Sequence, residues 1–285
     1  MDTQTYYASQ STFTDPGGNA SLLADFPKSV PEICTLLRGL MLPFDDILKY
    51  PIQNERVRDT CFRTGEAMLG RLAAIDKRSP VSAPRPGEAR FVASSSDFAN
   101  LFVCVARHQG IPARKRCGFV PYQGEYYGGE KFFRIHDVAQ YWSDGGWKWV
   151  DPNGLSREED FIFAAAAWQD CRVGKGAPDL YRDEQRRDFT VLTTALLLDL
   201  AALGKRELCL WDRYGFAAMP FEEFHSKQWE TLDHLAELLQ QGDAVKDELA
   251  ALYEKEEGLK VPEKVLCDSP LVPPHEVELS NWWFK

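Results

Sequence analysis

The spacing of apolar residues divides the chain into two helical stretches with a different stretch between them. In residues 1–80, "VPEICTLLRGLMLPF" and "NERVRDTCFRTGEAMLGRLAAID" both place apolar side chains at helical spacing. From residue 156 onward, helical periodicity or composition returns and predicts four more helices before an extended, proline-rich tail. These four helices are predicted in "EEDFIFAAAAWQDCR", "RRDFTVLTTALLLDLAAL", "FEEFHSKQWETLDHLAELLQQ" and "DAVKDELAALYEKEEG".

The middle stretch, residues 81–155, is predicted to contain one helix followed by three strands. It begins within a proline-rich loop, "KRSPVSAPRPGEAR". Phe98, Leu101, Phe102 and Val105 recur at helical spacing, which makes one helix face apolar. "ARKRCGFVPY", "FFRIHDVAQYW" and "GWKWVDPN" have the composition of strands. The predicted fold class is therefore α+β: a helix packed on a small antiparallel sheet, within a larger helical envelope, as one compact domain overall.

The second and third strands are separated by "SDGG", which predicts a β-hairpin. If Asp144 and Gly145 form a two-residue turn, Val138 lies opposite Asp151. His136 and Asp151 are then diagonal neighbours on one face, roughly 7–8 Å apart. A turn one residue further along preserves this shared face, whereas a bulge would break it. The other interpretation is a strand histidine and an aspartate that only begins a turn.

The net charge argues against partners that carry phosphate. The chain has 33 Lys and Arg against 43 Asp and Glu, a formal charge of -10, so we expect no nucleic-acid or anionic-membrane partner. The start, "MDTQTYYASQSTFTDPGG", has no signal-peptide pattern, and the most apolar stretch, Phe189–Leu203, is too short to span a bilayer. A cytoplasmic location is expected, while the oligomeric state is left open.

Cysteine and histidine spacing gives no support to a metal site. The seven cysteines form no C-x-x-C pair, and the five histidines form no H-E-x-x-H or H-x-H motif. We therefore expect reduced structural thiols, no metal and no cofactor. The cysteines are Cys34, Cys61, Cys104, Cys117, Cys171, Cys209 and Cys267.

Three serines, Ser94, Ser95 and Ser96, precede the apolar face of the middle helix. Serine is a good helix N-cap, so all three could serve only to begin the helix. The first turn of a helix also favours negative charge, and a nucleophile there can pair with a nearby histidine. The sequence therefore allows either a helix-capping role or a nucleophilic role for these serines.

At this point the chain resembles the transglutaminase-like family, whose core has the papain-like cysteine-enzyme fold. The resemblance lies in "SSDFANLFVCVARHQGIPARKRCGF", "IHDVAQYW" and "GWKWVDPN", and covers about residues 90–153. It implies a catalytic triad with Ser95 at the nucleophile position, His136 as acid and base, and Asp151 orienting the histidine.

The chain departs from the family pattern at the nucleophile, where Ser95 replaces cysteine. A serine hydroxyl is not an anion near neutral pH, so attack would require His136 to remove its proton. Further departures are Ser96, where a basic residue is common, and Asp137, where an aromatic residue often follows the histidine. Cys104 is no evident replacement, since it lies ~13 Å along the helix from Ser95.

Three functions remain open from the sequence. The first is acyl transfer or hydrolysis on an amide, ester or thioester of a small-molecule or peptide substrate; a serine introduced in place of cysteine would leave the same sequence. The second is non-covalent isomerase, cyclase or lyase chemistry that depends on His136. The third is a catalytically silent binding protein. The candidate substrate-binding residues are Ser94, Ser96, Tyr126, Tyr127 and Trp142.

Overall fold

A computed structural model describes residues 2–123, 129–154 and 160–279 of the chain. The chain forms two compact units, each built from separate segments. Helices and largely antiparallel sheets are both present, so the predicted α+β class is confirmed. The first unit comprises Met1–Lys115, Asp137–Arg157 and Lys205–Leu210, and the second comprises Arg116–His136, Glu158–Gly204 and Trp211–Lys285.

The first unit contains four helices and a short parallel strand pair among its described residues. The pair joins β1, Met41–Pro43, to β2, Phe91–Ala93. The two longer helices that precede β2 begin after residues with short hydroxyl side chains, and the side chain of Thr64 accepts a hydrogen bond from the Ala67 amide. The helices are α1, Thr3–Ala8; α2, Val30–Leu40; α3, Gly65–Ile75; and α4, Ser95–His108.

Helix α4 lies at the centre of the first unit. Its predicted apolar face is confirmed, since Phe98, Leu101, Phe102 and Val105 are all fully buried. The polar side of α4 is buried as well, because other segments of the unit pack around it; Asn100, for example, donates to the Glu207 carbonyl at 3.0 Å. The polar groups of α4 therefore need partners within the protein.

Two predicted helices are shorter than their apolar pattern. Helix α2 ends at Leu40, although the predicted segment runs on to Phe44. Leu42 precedes a proline, which disfavours the helical conformation, and is extended in β1. In the second segment, residues Asn54–Cys61 form a 3₁₀ helix instead of an α-helix. The chain is then extended at Phe62 before α3 begins, so this segment holds two helices and not one.

The strands predicted in the middle stretch are confirmed as β3, Ala113–Gln123; β4, Lys131–Ser143; and β5, Gly146–Val150. They lie in a sheet of order β5-β4-β3-β6, where β6 is Ile162–Phe163. The hairpin has the predicted register, with Ser143 paired with Gly146 and Ala139 with Val150. Asp144 and Gly145 both have positive φ, 53° and 81°. This is the type I′ turn that an Asp-Gly pair favours.

The second unit contains four described helices and a three-stranded antiparallel sheet. The predicted helix after residue 157 begins only at Ala164, and α6, Phe189–Leu203, is almost wholly buried. Its Asp199 accepts from the Arg116 side chain and the Cys117 amide, which satisfies this buried carboxylate. The remaining elements are α5, Ala164–Arg172; α7, Ser226–Gln241; α8, Lys246–Lys255; β7, Tyr181–Arg182; β8, Asp212–Arg213; β9, Lys264–Cys267; and β10, His275–Glu278.

Within the described residues, no helix has the length and apolar character needed to cross a bilayer. The tail is extended as predicted and forms β9 and β10. Its final aromatic residues lie outside the described part of the chain. The segment boundaries at residues 80 and 155 stay predictions.

Candidate functional site

The first turn of α4 is closed by a capping box. The Ser94 hydroxyl accepts a hydrogen bond from the Asp97 amide at 3.4 Å. The Asp97 carboxylate in turn accepts from the Ser94 amide at 2.7 Å and from the Ser94 hydroxyl at 2.8 Å. The helix-initiating role of Ser94 is therefore confirmed, and the reciprocal bonds satisfy donors that a helix end leaves unpaired.

Ser95 is the first residue of α4 and lies against strand β4. Its Oγ accepts a hydrogen bond from the Asp137 amide, with 3.1 Å between the two atoms. Asp137 directly follows His136 in β4. Ser95 is only 7% exposed, so the protein largely surrounds its side chain. The structure thus brings Ser95 to the strand that carries the predicted histidine.

Ser96 belongs to a buried polar cluster around Lys115. The Lys115 ammonium donates to the Ser96 hydroxyl at 2.9 Å and to the Leu208 carbonyl at 2.5 Å. It also lies 3.1 Å from Asp137 Oδ2 in an ion pair whose two side chains are fully buried. Ser96 in turn donates to the Leu208 carbonyl at 3.1 Å. The hydroxyl of Ser96 therefore has a role beyond beginning the helix.

Sequence reasoning missed Lys115, although β3 carried a signal for it. Side chains alternate between the faces of a strand, so Lys115 shares a face with Ala113 and Cys117. Both of these residues are fully buried. A lysine at an otherwise apolar strand position is a signal for a buried, paired ammonium.

Burial raises the pKa of the Asp97 carboxyl to about 7. The two hydrogen bonds from Ser94 and the positive charges of Lys115 and Arg63 act in the opposite direction, but burial prevails. A proton at Asp97 is therefore exchanged in the neutral pH range, two residues from Ser95.

The other two triad candidates are also buried. His136 lies in β4, and Asp151 lies just beyond the end of β5. Extending the hairpin register by one pair from Ala139 and Val150 places Asp151 level with Val138, as the predicted register requires. The Asp151 carboxylate accepts from the Asn153 amide at 2.9 Å, so this residue also begins the turn that the alternative interpretation expects.

One candidate substrate-binding aromatic residue lies at the turn end of β4, and the other two lie outside the described residues. Trp142 is paired with Trp147 across the hairpin, and the two rings meet edge to face at 5.5 Å. It lies six residues from His136 along β4, which corresponds to ~20 Å in a strand. Tyr126 and Tyr127 lie outside the described residues. A substrate-binding role stays a prediction for all three.

Burial disfavours the thiolate form of two cysteines in the first unit, Cys34 and Cys104. Burial raises the pKa of the Cys104 thiol well above its usual range. Burial also raises the pKa of Cys34 to about 12, with a further increase from the Asp151 carboxylate. All seven cysteines carry thiol groups. The described residues contain no group of three or more His, Cys, Asp or Glu side chains that could hold a metal.

Comparison with protein families gives one match. Residues 78–152 match the transglutaminase-like superfamily. The chain carries a transglutaminase-like domain. This confirms the family resemblance, and the domain contains Ser95, His136 and Asp151 together with Lys115. No curated protein and no solved structure matches the chain.

Proposed function

We propose that the transglutaminase-like domain is an enzyme acting on an acyl group, with Ser95 as the nucleophile. The observation that carries this proposal is the hydrogen bond between Ser95 Oγ and the Asp137 amide, which holds the hydroxyl at the strand of His136. The substrate class is an amide, ester or thioester of a small molecule or peptide. The match to the superfamily supports the enzyme class.

His136 is the general base and acid of this proposal. It removes the Ser95 proton as the hydroxyl attacks the carbonyl carbon, and later gives the proton to the leaving group. Asp151 orients the imidazole and stabilises its charged form. The hairpin register supports this pairing, because it places Asp151 level with Val138, two residues from His136 and on the same strand face.

The N-terminus of α4 would stabilise the oxyanion. Backbone N–H groups in the first turn of a helix favour negative charge, and Ser95 is the first helical residue. No metal is required for this step, because the attacking group, the proton acceptor and the oxyanion donors are all protein groups.

The test is acylation by an activated ester, p-nitrophenyl acetate, followed by peptide mass spectrometry. The wild-type protein should acquire an acetyl group on Ser95, and Ser95→Cys should acquire it at least as fast. Ser95→Ala should abolish the adduct, and His136→Ala should slow its formation by at least about a hundredfold. Ser143→Ala, on the hairpin far along β4, is the matched control and should behave as wild type.

Two outcomes would replace this proposal with one of the other functions. Unchanged acylation of the Ser95→Ala protein would exclude the covalent role. Turnover of a screened substrate that survives Ser95→Ala but not His136→Ala would instead indicate non-covalent acid–base chemistry. Saturable ligand binding with no turnover, unaffected by His136→Ala, would indicate a binding protein.

A further inference from the structure

A fully buried ion pair lies at the first turn of α4. Lys115 Nζ is 3.1 Å from Asp137 Oδ2, and neither side chain is accessible to solvent. The same ammonium donates to the Ser96 hydroxyl and to the Leu208 carbonyl. Burying two charges is costly, and their attraction offsets that cost only where the geometry is good and the remaining donors are satisfied. The ammonium has three different partners. Neither oxygen of the buried Asp137 carboxylate makes a hydrogen bond among the described residues, so this carboxylate depends on the charge of Lys115.

Each member of this pair is connected to Ser95 or to the residue next to it. Lys115 bonds Ser96, the next residue of α4, while the backbone N–H of Asp137 donates to Ser95 Oγ at 3.1 Å. The ion pair therefore connects the first turn of α4, which carries Ser95, to the segment of β4 that donates to the Ser95 hydroxyl. Lys115 thus contacts both Ser96 and Asp137.

We propose that Lys115 and Asp137 are a positioning pair that fixes the location and electrostatic environment of Ser95. The inference rests on the proposed nucleophilic role of Ser95. Lys115 holds α4 through Ser96, and Asp137 holds β4, so the salt bridge sets the separation at which the Asp137 amide meets Ser95 Oγ. Neither side chain is a catalytic residue in this proposal, because each acts through its neighbours.

Other charges also face this cluster. The Asp97 carboxyl lies on the same helix turn, and the positive charges of Lys115 and Arg63 both act on it. His136 is the residue directly before Asp137 in β4. Asp97, Arg63 and His136 are present in every variant of Lys115 and Asp137, so the opposite signs of the two expected shifts identify the pair.

A thiol at position 95 can report the local electrostatics without a substrate. In full-length Ser95→Cys protein, the ultraviolet absorbance of the thiolate is followed against pH, and the wild-type spectrum is subtracted to remove the native cysteines. Adding Lys115→Met should raise the midpoint by about one pH unit, because a positive charge is lost and the Asp137 carboxylate is left unpaired. Adding Asp137→Asn should lower the midpoint, because the negative charge is lost and the ammonium remains.

Shifts in opposite directions support the positioning pair. If both variants shift the midpoint in the same direction, or leave it unchanged while the free energy of unfolding falls, the pair is merely structural and the proposal is overturned. The matched control is Arg107→Met with Glu207→Gln, which removes another fully buried pair, 2.8 Å apart, in the same unit. The control should reduce stability without moving the midpoint.

A double variant covers the case in which Lys115→Met does not fold. Lys115→Met with Asp137→Asn removes both charges of the pair and leaves neither partner unpaired, so it should fold and place the midpoint between those of the two single variants. The proposal further expects the double variant to lose at least about tenfold in the rate at which p-nitrophenyl acetate acylates the introduced thiol, because the contact that positions residue 95 between α4 and β4 is lost. A rate equal to that of Ser95→Cys alone would overturn it.

A separate arm tests the proposed function. His136→Asn in the Ser95→Cys protein should raise the thiolate midpoint, because the proposed histidine partner of the thiolate is removed. An unchanged midpoint in this variant would contradict the role of His136 whatever the Lys115 variants show. A raised midpoint here, together with no effect of Lys115→Met, would leave the proposed function standing and reject the positioning pair.

Discussion

Three consecutive serines occupy three different environments. Ser94 caps α4 through Asp97, Ser95 accepts from a strand amide, and Ser96 bonds the buried ammonium of Lys115. Their identical chemistry made the sequence ambiguous, since each could have been a cap. The differences arise because successive residues in the first helical turn point in directions about 100° apart, toward different segments of the protein.

At the residue scale, Asp97 should make stability depend on pH. Its pKa is about 7 in the folded protein against an ordinary value of 3.8, so the folded state binds the proton more tightly. The contribution of Asp97 to stability is therefore fully present below pH 3.8 and is lost as the pH rises to about 7. Asp97→Asn should flatten this part of the pH dependence in urea unfolding; equal pH slopes in both proteins would contradict it.

The contribution of the α4 capping box to the free energy of unfolding can be measured with one substitution. Ser94→Ala removes the acceptor of the Asp97 amide and a donor to the Asp97 carboxylate in a buried position. We expect a loss of about 1–2 kcal/mol in the free energy of unfolding, measured by urea titration. Thr64→Ala, which removes the single cap bond of α3, is the comparison and should cost about 1 kcal/mol or less. A smaller effect at Ser94 than at Thr64 would contradict the reciprocal cap.

At the element scale, the β4–β5 hairpin shows how much of the register is local. Its turn requires positive φ at Asp144 and Gly145, and aspartate followed by glycine is one of the pairs that favour this conformation. Two-residue turns leave little freedom in register, which is why Ser143 paired with Gly146 could be predicted from the sequence. Helix lengths were less predictable, because Leu42 before proline and the extended residue Phe62 ended apolar patterns that continued in the sequence.

The hairpin turn can be tested with two neighbouring glycines. Gly145→Ala places a side chain at φ 81° and should cost about 1 kcal/mol, although nothing lies within 4 Å of the new Cβ. Gly146→Ala is the control, since that position also has open space around its Cβ but no positive φ, and its effect should lie within about 0.5 kcal/mol. Equal losses of unfolding free energy in the two variants would exclude backbone strain as the cause.

At the scale of the whole molecule, one buried charged side chain can hydrogen-bond to several segments that are far apart in the sequence. Arg107 donates to the Tyr7 and Ala113 carbonyls, the Thr14 hydroxyl and the Glu207 carboxylate, so one guanidinium joins four separate parts of the first unit. Lys115 does the same for α4, β4 and the segment around Leu208. Segment 205–210 thus contributes to the first unit although it is remote in the sequence.

Removing one member of the Arg107–Glu207 ion pair should reduce stability more than removing both members. Arg107→Met leaves Glu207 buried without its charge partner and should cost about 3–5 kcal/mol in the free energy of unfolding. The double variant with Glu207→Gln should cost markedly less, because no unpaired charge remains. Calorimetry of both proteins checks this, and equal losses would show that the charge itself contributes little.

Sequence patterns alone predict the α+β class, helix α4, the β4–β5 hairpin with its shared His136–Asp151 face, and the family resemblance that residues 78–152 match. These features follow from short-range rules, since apolar periodicity and turn preferences act over a few residues. Three features emerge only from the folded chain: the burial of Lys115 against Asp137, the hydrogen bond from the Asp137 amide to Ser95, and the pKa of Asp97 near 7. Burial and ion pairing depend on segments far apart in the chain, which no local pattern of residues specifies.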